Sequence, residues 1–348
     1  MLNNTGKDHI KDRKTTKSMA IAPSVSFIII GRNEGWRLPL CLKSTVKAID
    51  ACQIQAEIIY VDSQSTDDSL NVAKSFEMVK CFLITGTYNA AIARNIGVKE
   101  AQGQNLIFLD GDMEINPDFL NLILDSDGNL KYDFVSGNFM NYYYDNEGNF
   151  LRKDFYRKIY CDKDTIQYTT GGLFAIKRSH WESVGGMRNK YKKGQDLDLG
   201  YRLAKKGIPL LRKKERMANH HTIDYKDKKR LWRSIFDGSQ VYPRVVLYRD
   251  NIFNKYVLKR MLTSDPTLIL FITSVQLSLI LKCALPMLGY VLLTALGVAY
   301  AMRKTVFKGY MNRLLNHILK DLVNLFALLF YYPTNNVDVE YERVIRKD

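Results

Sequence analysis

Leu106–Leu109 is an apolar run with no polar face, entered just after Gly103 and closed by Asp110-Gly111-Asp112. So short a run between turn residues predicts a strand buried on both sides, in a mostly parallel sheet. The two carboxylates at its end are spaced i, i+2, and on an extended backbone they project from the same side. Like charges at the mouth of a buried strand repel, so the pair calls for a cation. A hard divalent ion with oxygen ligands, Mg²⁺ or Mn²⁺, carrying a diphosphate fits that need. Asp-x-Asp recurs at Asp125/Asp127, Asp162/Asp164 and Asp196/Asp198. Only the first pair closes a fully apolar strand, at the carboxyl end where open α/β sheets bind ligands.

The flanking pattern sets the fold class. Strand-like runs at Val25–Ile30, Glu57–Val61, Val79–Ile84, Leu106–Leu109, Phe134–Phe139, Leu173–Ile176 and Ile208–Leu211 are joined early on by amphipathic stretches. Those stretches are Leu38–Ala51, Asp67–Phe76 and Asn89–Ala101. This alternation predicts a doubly wound α/β layer, parallel at its start. After Pro117 the pattern loosens into an irregular, substrate-facing half.

Charge narrows the partners. The chain carries 51 Lys+Arg against 36 Asp+Glu, a formal +15, which implies an anionic partner: nucleic acid, a phosphorylated substrate or an anionic membrane. Residues 202–233 are densely basic. Nothing resembles a DNA-reading helix or an RNA-binding sheet motif, so no nucleic-acid partner is expected. The five scattered cysteines lack zinc spacing and fit a reducing compartment.

The first eighteen residues are polar, and the apolar run after them is broken by Pro23 and Ser24. A disordered basic tail is expected over 1–22, with no secretory signal. At the other end, Leu268–Leu281 and Cys283–Met302 are nearly uncharged, and Arg303, Lys304, Lys308 and Arg313 follow. The expectation is a spanning hairpin turning near Lys282–Pro286, with the soluble domain and the basic loop on the cytoplasmic face of the cell membrane, and a shallow re-entrant pair as the competing geometry. Leu314–Tyr332 reads as an interfacial amphipathic helix, with a third span as the alternative. The expected domains are therefore an α/β unit over 23–250, divided into 23–116 and 117–250, and C-terminal membrane helices over 251–348.

In order, Phe27-Ile-Ile-Ile-Gly-Arg-Asn-Glu34, Ile59-Tyr-Val-Asp-Ser-Gln-Ser-Thr-Asp67, Ala93-Arg-Asn-Ile-Gly97 and Phe108-Leu-Asp-Gly-Asp112 resemble the successive motifs of family 2 glycosyltransferases with the GT-A fold. The resemblance runs from about Val25 to Arg244. It implies transfer of a sugar from a nucleotide-diphosphate donor to a carbohydrate or lipid-linked acceptor, with inversion and a Mn²⁺ or Mg²⁺ cofactor. By resemblance Glu34 and Asp62 contact the nucleobase, and Asp110 and Asp112 hold the ribose and the metal. Asn33 ends the first strand where a nucleotide would lie, and Arg94 and Asn95 are placed to reach the diphosphate. Ser65-Thr66-Asp67 reads as a helix cap. Thr169-Thr-Gly-Gly172 and Val184-Gly-Gly-Met187 look like acceptor-side segments, Gly172 allowing close approach to the sugar. In Gly194-Gln195-Asp196, Gln195 replaces the family's usual Glu, while Asp196 corresponds to the catalytic base, with a helix N-cap as its plainer role and Asp198 in reserve. Relatives often carry a histidine metal ligand near His220 and His221; His221 is taken here, with His220 open beside it. A non-catalytic sugar-nucleotide-binding scaffold is the competing class, for which Gln195 is the one hint.

Overall fold

A computed structural model describes residues 23–224, 242–303, 307–335 and 337–345; the expected tail over 1–22 lies outside them. The first half builds strand by strand: β1 (Val25–Gly31), α1 (Arg37–Cys52), β2 (Ala56–Asp62), α2 (Ser69–Lys74), β3 (Val79–Ile84), α3 (Ala90–Glu100) and β4 (Asn105–Asp110). These four strands pair in parallel in the order β3-β2-β1-β4. The register sets Gly31 against Asp62 and Ile30 against Asp110, so all three strands end level at one edge. Both faces are apolar: Phe27, Ile29 and Leu109 pack under α1, and Ile28 and Phe108 pack against Ile96 of α3. That two-sided burial is what the unbroken apolar runs require.

The second half extends the same sheet with mixed polarity. It comprises β5 (Met113–Ile115), α4 (Pro117–Ile123), β6 (Phe134–Tyr144), β7 (Phe150–Phe155), β8 (Thr165–Gln167), β9 (Phe174–Lys177), α5 (Arg178–Ser183), α6 (Gln195–Lys205) and β10 (Leu210–Ile223). Antiparallel β9 joins β4 to β6, β10 lies parallel to β6, and β5 runs antiparallel on β10. The basic stretch is thus in good part a long strand; its remainder, residues 225–233, lies outside the described residues.

Beyond the sheet come α7 (Tyr242–Asp250), α8 (Lys255–Ser264), α9 (Pro266–Leu281), α10 (Leu285–Ala301) and α11 (Phe307–Phe330), and then β11 (Tyr341–Val344). Here the structure corrects the sequence reading. No single helix among the described residues is long and apolar enough to cross a bilayer. Cys283–Met302 looked long enough, but its helix holds 17 residues and α9 holds 16, against roughly 20 needed. Together α8 and α9 have the length and composition, yet they meet at a bend of 89°. Nor does the segment after 251 stay separate. β11 returns to pair with β3 at the edge of the main sheet, so the helices form a loop out of the domain and back into it.

Candidate active site

The level strand ends are followed by two loops that zip together. Asn33, in left-handed conformation at φ 57°, accepts from Thr66 N–H at 2.7 Å and donates its own N–H to Ser65 Oγ at 2.9 Å. Glu34 N–H reaches Ser69 Oγ at 2.9 Å, and Gly35 N–H reaches Asp67 Oδ2 at 3.0 Å. The expected cap is therefore mostly a cross-loop tie: α2 has no side-chain cap, although Asp67 Oδ1 does take Ser69 N–H. Asp62 is 0 % exposed, and its oxygens take Ser65 N–H and Tyr60 OH. The structure gives Asp62 a turn-holding job inside the loop rather than a place in the cleft wall.

Three carboxylates meet where this edge opens: Glu34, Asp110 and Asp112. With Arg32, Tyr88 and Asn89 they line a cleft of about 340 Å³. The glycines make room for them. A Cβ on Gly111 would stand 2.9 Å from Glu34 Cγ, so the space beside Gly111 is filled by Glu34 itself. Each acid has a cation. Arg37 reaches Glu34 at 2.9 Å and Asp112 at 3.6 Å. The Arg94 guanidinium, 2 % exposed, donates to Asp110 Oδ1 at 2.6 Å. His220 Nε2 stands 3.2 Å from Asp112 Oδ2.

The balance remains incomplete. Burial and then Asp112 push the Glu34 carboxyl up to about 8, and burial takes Asp110 to about 6 against the pull of Arg94. Burial opposes charge on Asp112 too, but His220 and Arg37 outweigh it and hold Asp112 below the usual carboxylate range. Burial likewise opposes charge on His220, and Asp112 and Asp110 overcome it to raise the imidazole. Buried polar atoms without a partner remain: Asp112 Oδ1, and Nε and Nη1 of Arg94. An unpaired carboxylate oxygen and two unpaired guanidinium donors beside one cleft are complementary to a cation and to an anion.

His221 is placed otherwise. Its Nε2 meets Glu114 Oε2 at 2.7 Å and its Nδ1 meets Tyr144 OH at 2.9 Å. Adjacent side chains of a strand face opposite sides, so only one of the two imidazoles can meet the Asp112 carboxylate, and it is that of His220.

The other wall comes from the glycine loop before β9. Gly172 has φ 94°, and a Cβ there would lie 2.2 Å from Asp110 Oδ2, so only glycine fits against that carboxylate. Asp196 Oδ2 accepts from the Thr169 hydroxyl and, at 3.5 Å, from Gly171 N–H. It is not the N-cap, which is Gly194. Asp198, 0 % exposed, is bound by Arg188 at 3.0 Å, Arg202 at 2.8 Å and Asn251 at 3.2 Å. That is a buried junction, leaving Asp196 as the member of the pair beside the loop. Asn95 is also structural, tying α3 to Met187 and Asn189.

Sequence reasoning missed Arg37, Tyr88, Asn89 and Arg212. Arg212 is 0 % exposed and donates to Gly137 O at 2.6 Å, Thr169 O at 2.7 Å and Ser136 Oγ at 2.8 Å, holding the loop beneath Asp196. In the sequence it is one base among many. Arg37, three residues after Glu34, was legible as an i, i+3 pair.

Residues 26–185 match the family model described as Glycosyl transferase family 2. An uncharacterized glycosyltransferase of Haemophilus influenzae is 34% identical over 95 residues, which is 24% of this chain and 38% of that protein. The match thus spans well under half of this curated relative. Among solved structures, a mannosyltransferase from Pyrobaculum calidifontis, in complex with GDP-Man and Mn²⁺, aligns at TM-score 0.51 and 17% identity over 89% of this chain and 88% of that one. GalNAc-T7 with UDP, GalNAc and Mn²⁺ aligns at 0.46 and 17% over 64% and 51%. The first likeness shows the fold, a mixed α/β sheet with flanking helices of GT-A type. Motif order, sheet and sequence match thus agree in likening residues 26–185 of this chain to glycosyl transferase family 2.

Proposed function

We propose that the protein transfers a sugar from a nucleotide-diphosphate donor to a carbohydrate or lipid-linked acceptor, with Mn²⁺ or Mg²⁺ as cofactor. The observation that carries this reading is the cleft lined by Asp110, Asp112 and Glu34, with the buried Arg94 held on Asp110 and two of its donors still unpaired. Among the described residues no three His, Cys, Asp or Glu side chains form a ready-made metal cage. One or two carboxylates completed by substrate phosphates is the usual site for such ions. Asp112, with a free buried oxygen, and His220 beside it fit as the protein's share, with Asp110 next to them. When bound, the ion neutralises charge on the departing diphosphate. The Pyrobaculum calidifontis neighbour, solved with GDP-Man and Mn²⁺, supports the choice of metal.

The chain's own residues do the rest. Arg94 offers Nε and Nη1 to phosphate oxygens from behind Asp110. The loop ties of Asn33 and Asp62 fix the floor on which the nucleoside lies. Gly172 sets the glycine loop against Asp110 and leaves the sugar room to approach. Asp196 takes the proton of the acceptor hydroxyl as it attacks the anomeric carbon, in a single inverting displacement. Thr169, held by Arg212, orients that carboxylate.

The catalytic domain works, in this reading, at the cytoplasmic face of the cell membrane. Exposed apolar side chains along α9 and α10 support contact with lipid, and the basic residues around them suit an anionic leaflet. The test is to incubate membranes containing the protein with a panel of nucleotide sugars and Mn²⁺ and to score release of nucleoside diphosphate. Release from one donor class, dependent on Asp196, supports the proposal; no release from any donor overturns it.

A further inference from the structure

The α9–α10 hairpin exposes its tip. Leu279 is 74 %, Ile280 73 %, Leu281 60 % and Leu285 73 % exposed. An α-helix rises about 1.5 Å per residue, so the hairpin stands roughly 24 Å tall, enough to enter one leaflet of a core about 30 Å thick and too little to cross it.

At its base, away from the tip, the first turns of α9 and the last turns of α10 leave a cavity of about 390 Å³ closed on one side by α11. Its walls are largely apolar, from Pro266, Leu270, Leu293 and Val298. Polar groups break that wall at Thr267, Thr294, His317 and Arg313. Thr267 is engaged with Asp321. Thr294 is 2 % exposed and engaged with Tyr290, while the buried His317 Nδ1 has no hydrogen-bond partner. Buried polar atoms without partners are uncommon, and here one belongs to a residue of the cavity wall that also carries the cation Arg313. From Pro266 to Phe330 the chain has Lys282, Arg303, Lys304, Lys308, Arg313 and Lys320 against Asp321 alone.

The base of the hairpin is also fastened to the catalytic layer. Asp265, beside Pro266, is bound by Arg244 at 2.6 Å, by Lys320 at 2.5 Å and by Tyr248. Arg244 and Tyr248 lie on α7, and Asn251 at its end reaches Asp198 on the helix that carries Asp196.

We infer that this cavity binds an amphiphile with a phosphate head and an aliphatic chain, presented from a membrane. The head sits at Arg313 and His317, and the chain runs along the hairpin toward its tip. This deepens the lipid-linked-acceptor reading given above and rests on it. A head held at the hairpin base lies on the side of the helical unit that is fastened to the catalytic domain.

The test uses the full chain in detergent micelles with a diazirine-bearing farnesyl phosphate, and maps the cross-linked peptides by mass spectrometry. Label is expected in peptides from 266–301 and 307–330. Gly297→Leu fills the cavity where an added Cβ meets nothing within 4 Å, and should cut labelling at least tenfold. Arg313→Gln should cut labelling about tenfold, the factor of one charge-assisted hydrogen bond, while labelling by the neutral farnesol analogue stays within about twofold. Nucleoside-diphosphate binding, measured on the same variants, should not change and certifies the fold. Label spread outside these helices, or unchanged in Gly297→Leu, overturns the inference. Inorganic phosphate competing as well as farnesyl phosphate overturns it in favour of a plain anion site. Labelling as expected from a protein that turns over no donor would leave the cavity standing and sink the transferase reading alone.

Discussion

The donor edge of the sheet and the helical unit both bury polar groups among apolar ones, and they treat them in opposite ways. At the edge, three carboxylates each have a cation from the protein, Arg37, Arg94 or His220, and the atoms left over belong to Asp112, which lines a polar cleft, and to Arg94 behind Asp110. In the helical unit Asp265 is fully paired, but Asp321 and Asn324, both 0 % exposed, keep atoms with no partner inside apolar helices. A cluster that carries its own counter-ions holds its shape before anything binds, which is what electrostatic preorganisation requires. Unpaired buried groups cost about 1–3 kcal/mol each, so the helical unit gains most from what it binds.

The sharpest way to break this comparison is at the cluster. Asp112→Asn should lower donor turnover by ~10³-fold or more without unfolding the protein, and chelation should reproduce the loss until Mn²⁺ or Mg²⁺ is restored. Full activity in EDTA would contradict the assigned role of Asp112.

Next come the two acids of α6. Asp196→Asn should cost on the order of 10²–10⁴ in kcat with the melting temperature nearly unchanged. Asp198→Asn leaves Arg188 and Arg202 without their shared acid, and breaking such a buried pair costs about 3–5 kcal/mol of stability. The rate loss and the stability loss should therefore fall on different residues. Finding both on Asp198 would show the base misplaced by two positions.

The helical side is sharpened by Ile280→Asp at the hairpin tip. Removing one buried aliphatic side chain from lipid is worth roughly 1.5–3 kcal/mol, so vesicle flotation should show a drop in partitioning with soluble-acceptor turnover kept. Equal flotation of the variant would mean the tip does not enter lipid. The smallest effect is expected at Gly172→Ala, where strain of about 1–3 kcal/mol presses on Asp110 and should weaken donor binding about tenfold by calorimetry.

The same contrast explains what the sequence disclosed. β1, β2 and β4 are buried on both faces, so their apolar runs and the acids at their ends were legible one by one. β10 was not, because Arg212, Lys213, Lys214 and Arg216 look like a solvated basic surface; that Arg212 lies inside, spanning five acceptors, depends on contacts distant in sequence. His220 and His221 could not be separated without the phase of the strand pleat. β11 is Tyr-Glu-Arg-Val, with no apolar run, and exists because β3 offers it an edge. Helix length was overread in the hydrophobic segment: Ala284 and Pro286 set the start of α10 and shorten the apolar run that composition alone suggested.

The central claim is that the Asp110–Asp112 cluster recruits a divalent ion to hold the donor's diphosphate. Calorimetric titration of UDP, GDP, ADP and CDP into the full-length protein, with Mn²⁺ and then with EDTA, tests it most directly. One nucleotide should bind in Mn²⁺, at least tenfold more weakly in EDTA, and Asp112→Asn in Mn²⁺ should match the wild type in EDTA. Equal affinity of the wild type with and without the metal would contradict the account.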